Sequence, residues 1–136
     1  MAGLFSTLTN RLWDSTILYS FDRSGFIRHA KEFNTSDLNA NLTGKIILVT
    51  GANSGLGKET ARALAKRKAT VYLLCRNPQR GTETEEVLRK QTQNNQIFYA
   101  NIDLSNLDSV QHFLRTFAVP KIDVLIHNAG VLPRKL

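Results

Sequence analysis

The stretch Thr50-Gly51-Ala52-Asn53-Ser54-Gly55-Leu56-Gly57 constrains this chain more than any other, because its glycines separate two runs of opposite texture. Before it, Ile46-Ile47-Leu48-Val49 is a short apolar run rich in β-branched residues, bounded by Gly44 and Gly51. That is the pattern of a strand buried on both faces. After it, Leu56, Thr60, Ala61, Leu64 and Ala65 recur on one helical face, with Lys58, Glu59, Arg62 and Lys66 largely on the other. A buried strand that turns straight into an amphipathic helix requires a crossover to a parallel neighbour.

The alternation continues along the chain. Val71-Tyr72-Leu73-Leu74 reads as a second strand, and Thr82-Glu83-Thr84-Glu85 as a capping box opening a second helix, with Arg89 and Lys90 near its end. Ile97-Phe98-Tyr99-Ala100 is a third strand. A third helix is expected from Ser105 to Phe117, with Ser105 and Asp108 at capping spacing and Leu107, Val110, Leu114 and Phe117 along its stripe. Ile122-Asp123-Val124-Leu125-Ile126 is the fourth strand. This order implies an α/β fold with a parallel sheet ordered 3-2-1-4, the start of a doubly wound architecture. The winding reverses between strands one and four, so a ligand site is expected at their carboxyl ends.

Each glycine of the loop has a physical use. Gly51 permits the tight turn leaving the strand, and Gly55 lets backbone approach a pyrophosphate at the helix N-terminus, where unpaired N–H groups favour anions. Gly57, with Ala61 one turn later, lets helix and strand pack closely. A glycine triplet alone is a weak signal; its position between strand and helix in a βαβ unit is the confirming context.

The spacing Thr-Gly-x-x-x-Gly-x-Gly resembles the short-chain dehydrogenase/reductase family. Asp103-Leu104 after the third strand and His127-Asn128-Ala129-Gly130 after the fourth resemble two further landmarks of that family, with His127 in place of an Asn. Wording within these motifs is similar to the retinol-dehydrogenase-like branch. The resemblance covers residues 45–131 and implies an incomplete Rossmann domain over 45–136. It implies cofactor contacts from Gly51, Asn53, Ser54, Gly55, Leu56 and Gly57. It also implies an adenine side formed by Asp103 and Leu104 with Asn128, Ala129 and Gly130. His127 is expected to be a hydrogen-bonded core residue rather than an acid or base.

Charge argues for the choice of dinucleotide. An acid about 20 residues after the glycines usually meets a ribose 2′-OH. Here Cys75-Arg76-Asn77 stands at that point without an acid beside it. A cation at Arg76 suits a 2′-phosphate, so NADP is expected over NAD, though Arg76 as a solvated loop residue fits the same placement. Residues 45–136 hold fourteen basic against seven acidic side chains and residues 1–44 four of each, so the whole net charge of +7 lies in the second segment. Lys66-Arg67-Lys68 falls where cations offset a helix dipole, without interleaved aromatics, and nucleic acid is not indicated.

The chemistry that the resemblance implies needs a Tyr with a Lys four residues on. Tyr19 is followed there by Arg23, Tyr72 by Arg76 and Tyr99 by Asp103, so the sequence holds no such pair and no catalytic residue is assigned. No metal-ligand spacing occurs either. The sheet is expected to be truncated after its fourth strand, leaving an open apolar edge that a protein partner would cover. Two readings follow. The chain is a catalytically silent subunit of a larger assembly, or it is the N-terminal part of an active NADPH-dependent carbonyl or alcohol oxidoreductase.

Residues 1–44 form an N-terminal arm. Leu4, Leu8 and Leu12, with Phe5 and Trp13, suit a short amphipathic helix. The arm's aromatics, among them Phe21, Phe26 and Phe33, either pack on the domain or a partner, or touch a membrane surface. Arg11 and several Ser and Thr fit a mitochondrial presequence, against which Asp14 and Asp22 count; the other expectation is cytoplasmic. Ala2 excludes myristoylation. No run approaches the ~18 apolar residues of a membrane span. A single cysteine, Cys75, excludes an internal disulfide and fits a reducing compartment.

Overall fold

A computed structural model of the chain describes residues 23–34, 36 and 39–131. The amphipathic helix expected around Leu4–Leu12 and the presequence reading lie outside the described residues. Ahead of the main unit, Ala40–Leu136, stands helix α1 (Arg23–Ala30), which the irregular texture of the arm did not announce. The main unit runs β1 (Ile46–Thr50), α2 (Gly55–Lys66), β2 (Thr70–Cys75), α3 (Pro78–Thr92), β3 (Ile97–Asn101), α4 (Leu107–Thr116) and β4 (Val124–Ile126).

All strand pairs are parallel and the sheet order is β3-β2-β1-β4, as the alternation of elements implies. The register places Ile47 beside Val71 and Val124, and Val71 beside Ile97. Side chains alternate between faces. Ile47, Val49, Val71, Leu73 and Ile97 pack with Ala61 and Ala65 of α2 and Leu88 of α3 on one face. On the other face, Leu48, Leu74 and Ile102 pack with Phe113 of α4, where Tyr72, Val110 and Phe117 also gather. The Phe113 and Phe117 rings stack at 4.6 Å, and Tyr72 meets Phe117 edge-on at 4.9 Å.

Three local expectations are corrected. Helix α3 starts at Pro78, not at a Thr82 capping box: Asn77 caps it by accepting the Arg80 N–H at 2.9 Å, and proline suits a first turn that needs no donor. Thr82 lies inside the helix and donates to the Pro78 carbonyl at 3.0 Å. Helix α4 is capped by Asn106, which accepts from Asp108 N–H at 2.9 Å, while Ser105 turns back to Asp103. Its inward stripe is the buried Phe113 with the partly buried Val110 and, just past its end, Phe117; Leu107 and Leu114 are each 70% exposed. Leu56 of α2 is 82% exposed, so Gly57, Ala61 and Ala65 carry that helix against the sheet instead. The small residues set the approach, and a leucine in the first turn falls outside it.

The two sheet edges differ. At β3, Glu85 accepts the Tyr99 N–H at 2.6 Å and Arg89 donates to the Ile97 carbonyl from Nε and Nη2 at 2.9 and 2.6 Å, with the two side chains paired at 2.8 Å. Charged groups from α3 thus occupy strand-pairing positions on that edge. At β4, Val124 and Leu125 remain 44% and 45% exposed. His127, expected in the core, is exposed, because the strand before it is itself only partly covered.

Asp123 ties β4 to the start of β1. It accepts from Ile46 N–H at 3.0 Å, Lys121 Nζ at 2.7 Å and Lys45 Nζ at 3.3 Å. The Lys121 ammonium first, then the Ile46 amide and Lys45, hold its carboxyl well below the usual carboxylate range. A group whose folded pKa is depressed stabilises the fold above its unfolded pKa, and that contribution disappears as pH falls through the folded value. Asp123→Asn is therefore expected to unfold at lower urea than the native chain at neutral pH. The gap should begin to narrow below about pH 4, where the unfolded carboxyl titrates, and keep closing as the medium becomes more acid.

Candidate functional site

The last residue of β1 and the residues just after β4 are clasped together. The buried Thr50 hydroxyl oxygen accepts both the Asn128 and Ala129 N–H groups at 2.9 Å. In return, Asn128 Nδ2 donates to the Thr50 carbonyl at 3.0 Å. The turn that follows depends on the absence of side chains. Gly51 has φ +66°, donates its N–H to the Leu74 carbonyl at 2.8 Å, and would set a Cβ 3.0 Å from Ala129 Cα. A Cβ on Gly57 would stand 2.6 Å from the Gly51 carbonyl oxygen and against Asn128 Nδ2. The first turn of α2 therefore lies on the clasp, and only glycine allows it.

Above the clasp is a cleft of about 770 Å³. Its walls bring together most of the residues singled out in the sequence: Gly51, Asn53 and Ser54 from the loop, and Arg76 from the end of β2. Asp103 and Leu104 follow β3, and Asn128, Ala129 and Gly130 follow β4. Gly55, Leu56 and Gly57 are not on the lining; they form the first turn of α2 beside it, with Gly57 buried and Gly55 exposed.

The sequence reading missed other lining residues, chiefly Arg80, Asn77 and Ser105. Arg80 was legible only with the correct start of α3. Once Asn77 is the cap and Pro78 the first helical residue, Arg80 falls in the turn that abuts the end of β2, near Arg76.

The electrostatics favour an anion. Helices α3 and α4 begin with asparagine side chains bonded to their own N–H groups, whereas Ser54 makes no side-chain cap on α2. The α2 N-terminus thus keeps its backbone donors for another partner. Arg76 and Arg80 add two cations. Among the described residues Asp103 is the one acidic side chain on the lining. Hydrogen bonds from the Ser105 hydroxyl at 2.7 Å and its N–H at 3.0 Å hold that carboxyl below its ordinary pKa, and Arg76 adds to the effect. Cys75 also reaches the lining, but burial pushes its thiol up to about 11, so it stays protonated at neutral pH.

Residues 45–136 match the family model described as short chain dehydrogenase. Among curated proteins, the chain is 42% identical over 96 residues to retinol dehydrogenase 12 of Mus musculus, covering 69% of this chain and 30% of that protein. It is 35% identical over 125 residues to dehydrogenase/reductase SDR family member 12 of Homo sapiens, covering 91% of this chain and 39% of the relative. That match is longer than the 45–136 segment and takes in part of the arm. Among solved structures, a short chain dehydrogenase from Escherichia coli CFT073 complexed with NADPH superposes with a TM-score of 0.61 at 35% identity, over 69% of this chain and 40% of that one. The chain thus spans between 30% and 40% of the length of these three proteins.

The clasp and the thiol give two expected outcomes. Thr50→Val leaves two amides without their acceptor, and the urea midpoint should report a loss of about 1–3 kcal/mol. Cys75 should react with a thiol reagent at neutral pH far more slowly in the folded chain than in urea, because it is both buried and protonated.

Proposed function

Because the chain belongs to the short chain dehydrogenase family, we propose that it binds NADP(H) in the cleft at the ends of β1 and β4, and that its 136 residues alone turn over no substrate. The observation that carries the reading is the convergence of an uncapped helix N-terminus with Arg76 and Arg80 on one cleft. The backbone of the loop from Gly51 to Ser54 and the first turn of α2, Gly55, Leu56 and Gly57, would hold the pyrophosphate. Arg76 and Arg80 would hold the 2′-phosphate, a role for which a bidentate guanidinium is suited. Asp103 and Leu104 would flank the adenine on one side, with Asn128, Ala129 and Gly130 on the other. The solved relative complexed with NADPH supports the choice of dinucleotide.

A bound nicotinamide would supply hydride to a carbonyl or take it from an alcohol. Proton transfer to match would need a phenol beside a lysine, and Tyr72 and Tyr99 are strand residues of the sheet with Arg76 and Asp103 in the lysine position. Tyr99 is also committed elsewhere: its hydroxyl donates to the Cys75 carbonyl at 3.3 Å and accepts from Asn101 Nδ2 at 2.6 Å. Burial raises its pKa, opposite to what a proton-passing phenol needs. The partly exposed Val124 and Leu125 support the second half of the proposal, a protein partner that covers β4 in a larger assembly.

A second reading is supported by the share of its relatives that the chain spans: these residues are the nucleotide-binding part of a longer NADPH-dependent carbonyl or alcohol oxidoreductase. The intact mass of the native protein separates the two. A mass equal to that of the 136 residues supports the silent subunit, and a much larger one supports the enzyme.

Calorimetric titration tests the shared claim. NADPH should bind more tightly than NADH. Arg76→Ala with Arg80→Ala should weaken NADPH by about 10- to 100-fold, the worth of charge-assisted hydrogen bonds, while leaving NADH nearly unchanged. No heat with either dinucleotide would remove the proposal.

A further inference from the structure

We propose that Tyr99 is a positioning residue for the choice of dinucleotide: it fixes the two chain segments that carry Arg76 and Arg80, and so sets the spacing of these cations toward a 2′-phosphate. The inference rests on the reading of the cleft as an NADP(H) site. Both arginines are exposed, so where they stand depends on the backbone beneath them. Arg76 directly follows β2, and Arg80 lies in the first turn of α3. Tyr99, in β3, touches both segments. Its hydroxyl donates to the Cys75 carbonyl at 3.3 Å, one residue before Arg76. Asn101 Nδ2 donates to that hydroxyl at 2.6 Å and reaches the Arg76 carbonyl at 3.5 Å. The ring meets α3 one residue after Arg80, where a Cβ on Gly81 would stand 2.3 Å from both Cδ2 and Cε2 of Tyr99.

Two features separate this role from packing alone. Glycine weakens a helix interior, yet Gly81 is buried inside α3, and the space it leaves is filled by the Tyr99 ring. The helix start is thereby seated on β3 closer than any other residue at 81 would allow. Glu85, one turn on, accepts the Tyr99 N–H at 2.6 Å and holds the same helix to the same residue. The second feature is the hydroxyl. A phenylalanine would fill the same space and suit the strand as well. The Cys75 carbonyl already accepts the Ile102 N–H at 3.3 Å, so the hydroxyl is not needed to satisfy it. What the hydroxyl adds is a tie between the end of β2 and the ring on which α3 begins. Arg76 and Arg80 stand at the two ends of that tie.

The full chain and its Tyr99→Phe variant, which keeps the ring, are titrated with NADPH and with NADH. The variant should bind NADPH about 3- to 10-fold more weakly, the worth of the hydrogen bonds removed, and NADH as the native chain does. Added to Arg76→Ala with Arg80→Ala, Tyr99→Phe should cost nothing further, because it acts through those two side chains. Unchanged NADPH affinity in Tyr99→Phe would overturn the proposal. So would an equal loss for both dinucleotides, or a loss that persists without the arginines. Backbone amide order parameters, measured without dinucleotide, keep this failure distinct from failure of the nucleotide reading. They should fall over residues 76–81 in Tyr99→Phe and stay unchanged at Asn128 and Ala129. Unchanged values over 76–81 would sink the positioning role whatever binds in the cleft. A native chain that binds NADPH no better than NADH would sink the nucleotide reading, and the role in dinucleotide choice with it.

Discussion

One buried hydroxyl holds the reversal point of this sheet. Thr50 Oγ1 receives two amides from the residues after β4, and the Asn128 side chain returns a bond to the Thr50 carbonyl. Strand β4 is only three residues long and pairs with β1 at three positions, so the clasp supplies much of what fixes its carboxyl end. Asp123 does the same at the other end through the Ile46 amide. Between these two anchors the chain returns from β3 by way of α4, on the face opposite α2 and α3, and that return opens the cleft. The clasp fixes the separation of the two lips of the cleft, and Gly57 is glycine because a Cβ there would run into the Gly51 carbonyl and the Asn128 side chain.

The same architecture distributes surface unequally. Helix α3 lays Glu85 and Arg89 along the β3 edge and meets its outward-facing N–H and carbonyl. Among the described residues nothing comparable guards β4, where Val124 and Leu125 stay exposed. Leu107 and Leu114 lie exposed on α4 as well. A sheet closed by charge on one edge and apolar on the other extends in one direction only, which is why the proposed partner, or the proposed remainder of a longer enzyme, belongs at β4.

Much of this was legible because the buried strands are short β-branched runs and the glycine loop has only one economical conformation. The order of the strands followed from the alternation alone. The arm helix was not legible, since Arg23-Ser24-Gly25-Phe26-Ile27-Arg28 has little helical patterning and a glycine inside it. Helix faces were also misjudged. Leu107 and Leu114 fit a helical stripe as well as Phe113 does, and only the three-dimensional position of the sheet decides which stripe is buried. The start of α3 was misread because Thr82–Glu85 mimics a capping box, while Asn77-Pro78 is the stronger stop-and-start signal. That misreading hid Arg80, the second cation of the cleft.

The cleft is proposed to receive a phosphorylated dinucleotide, and amide chemical shifts of the full chain with added NADP+ test that proposal most directly. Shifts confined to residues 51–57, 76–80, 103–105 and 128–130, with the outer face of α4 silent, are the predicted result. A spectrum that does not change, or changes that cluster away from the Thr50–Asn128 clasp, would contradict it.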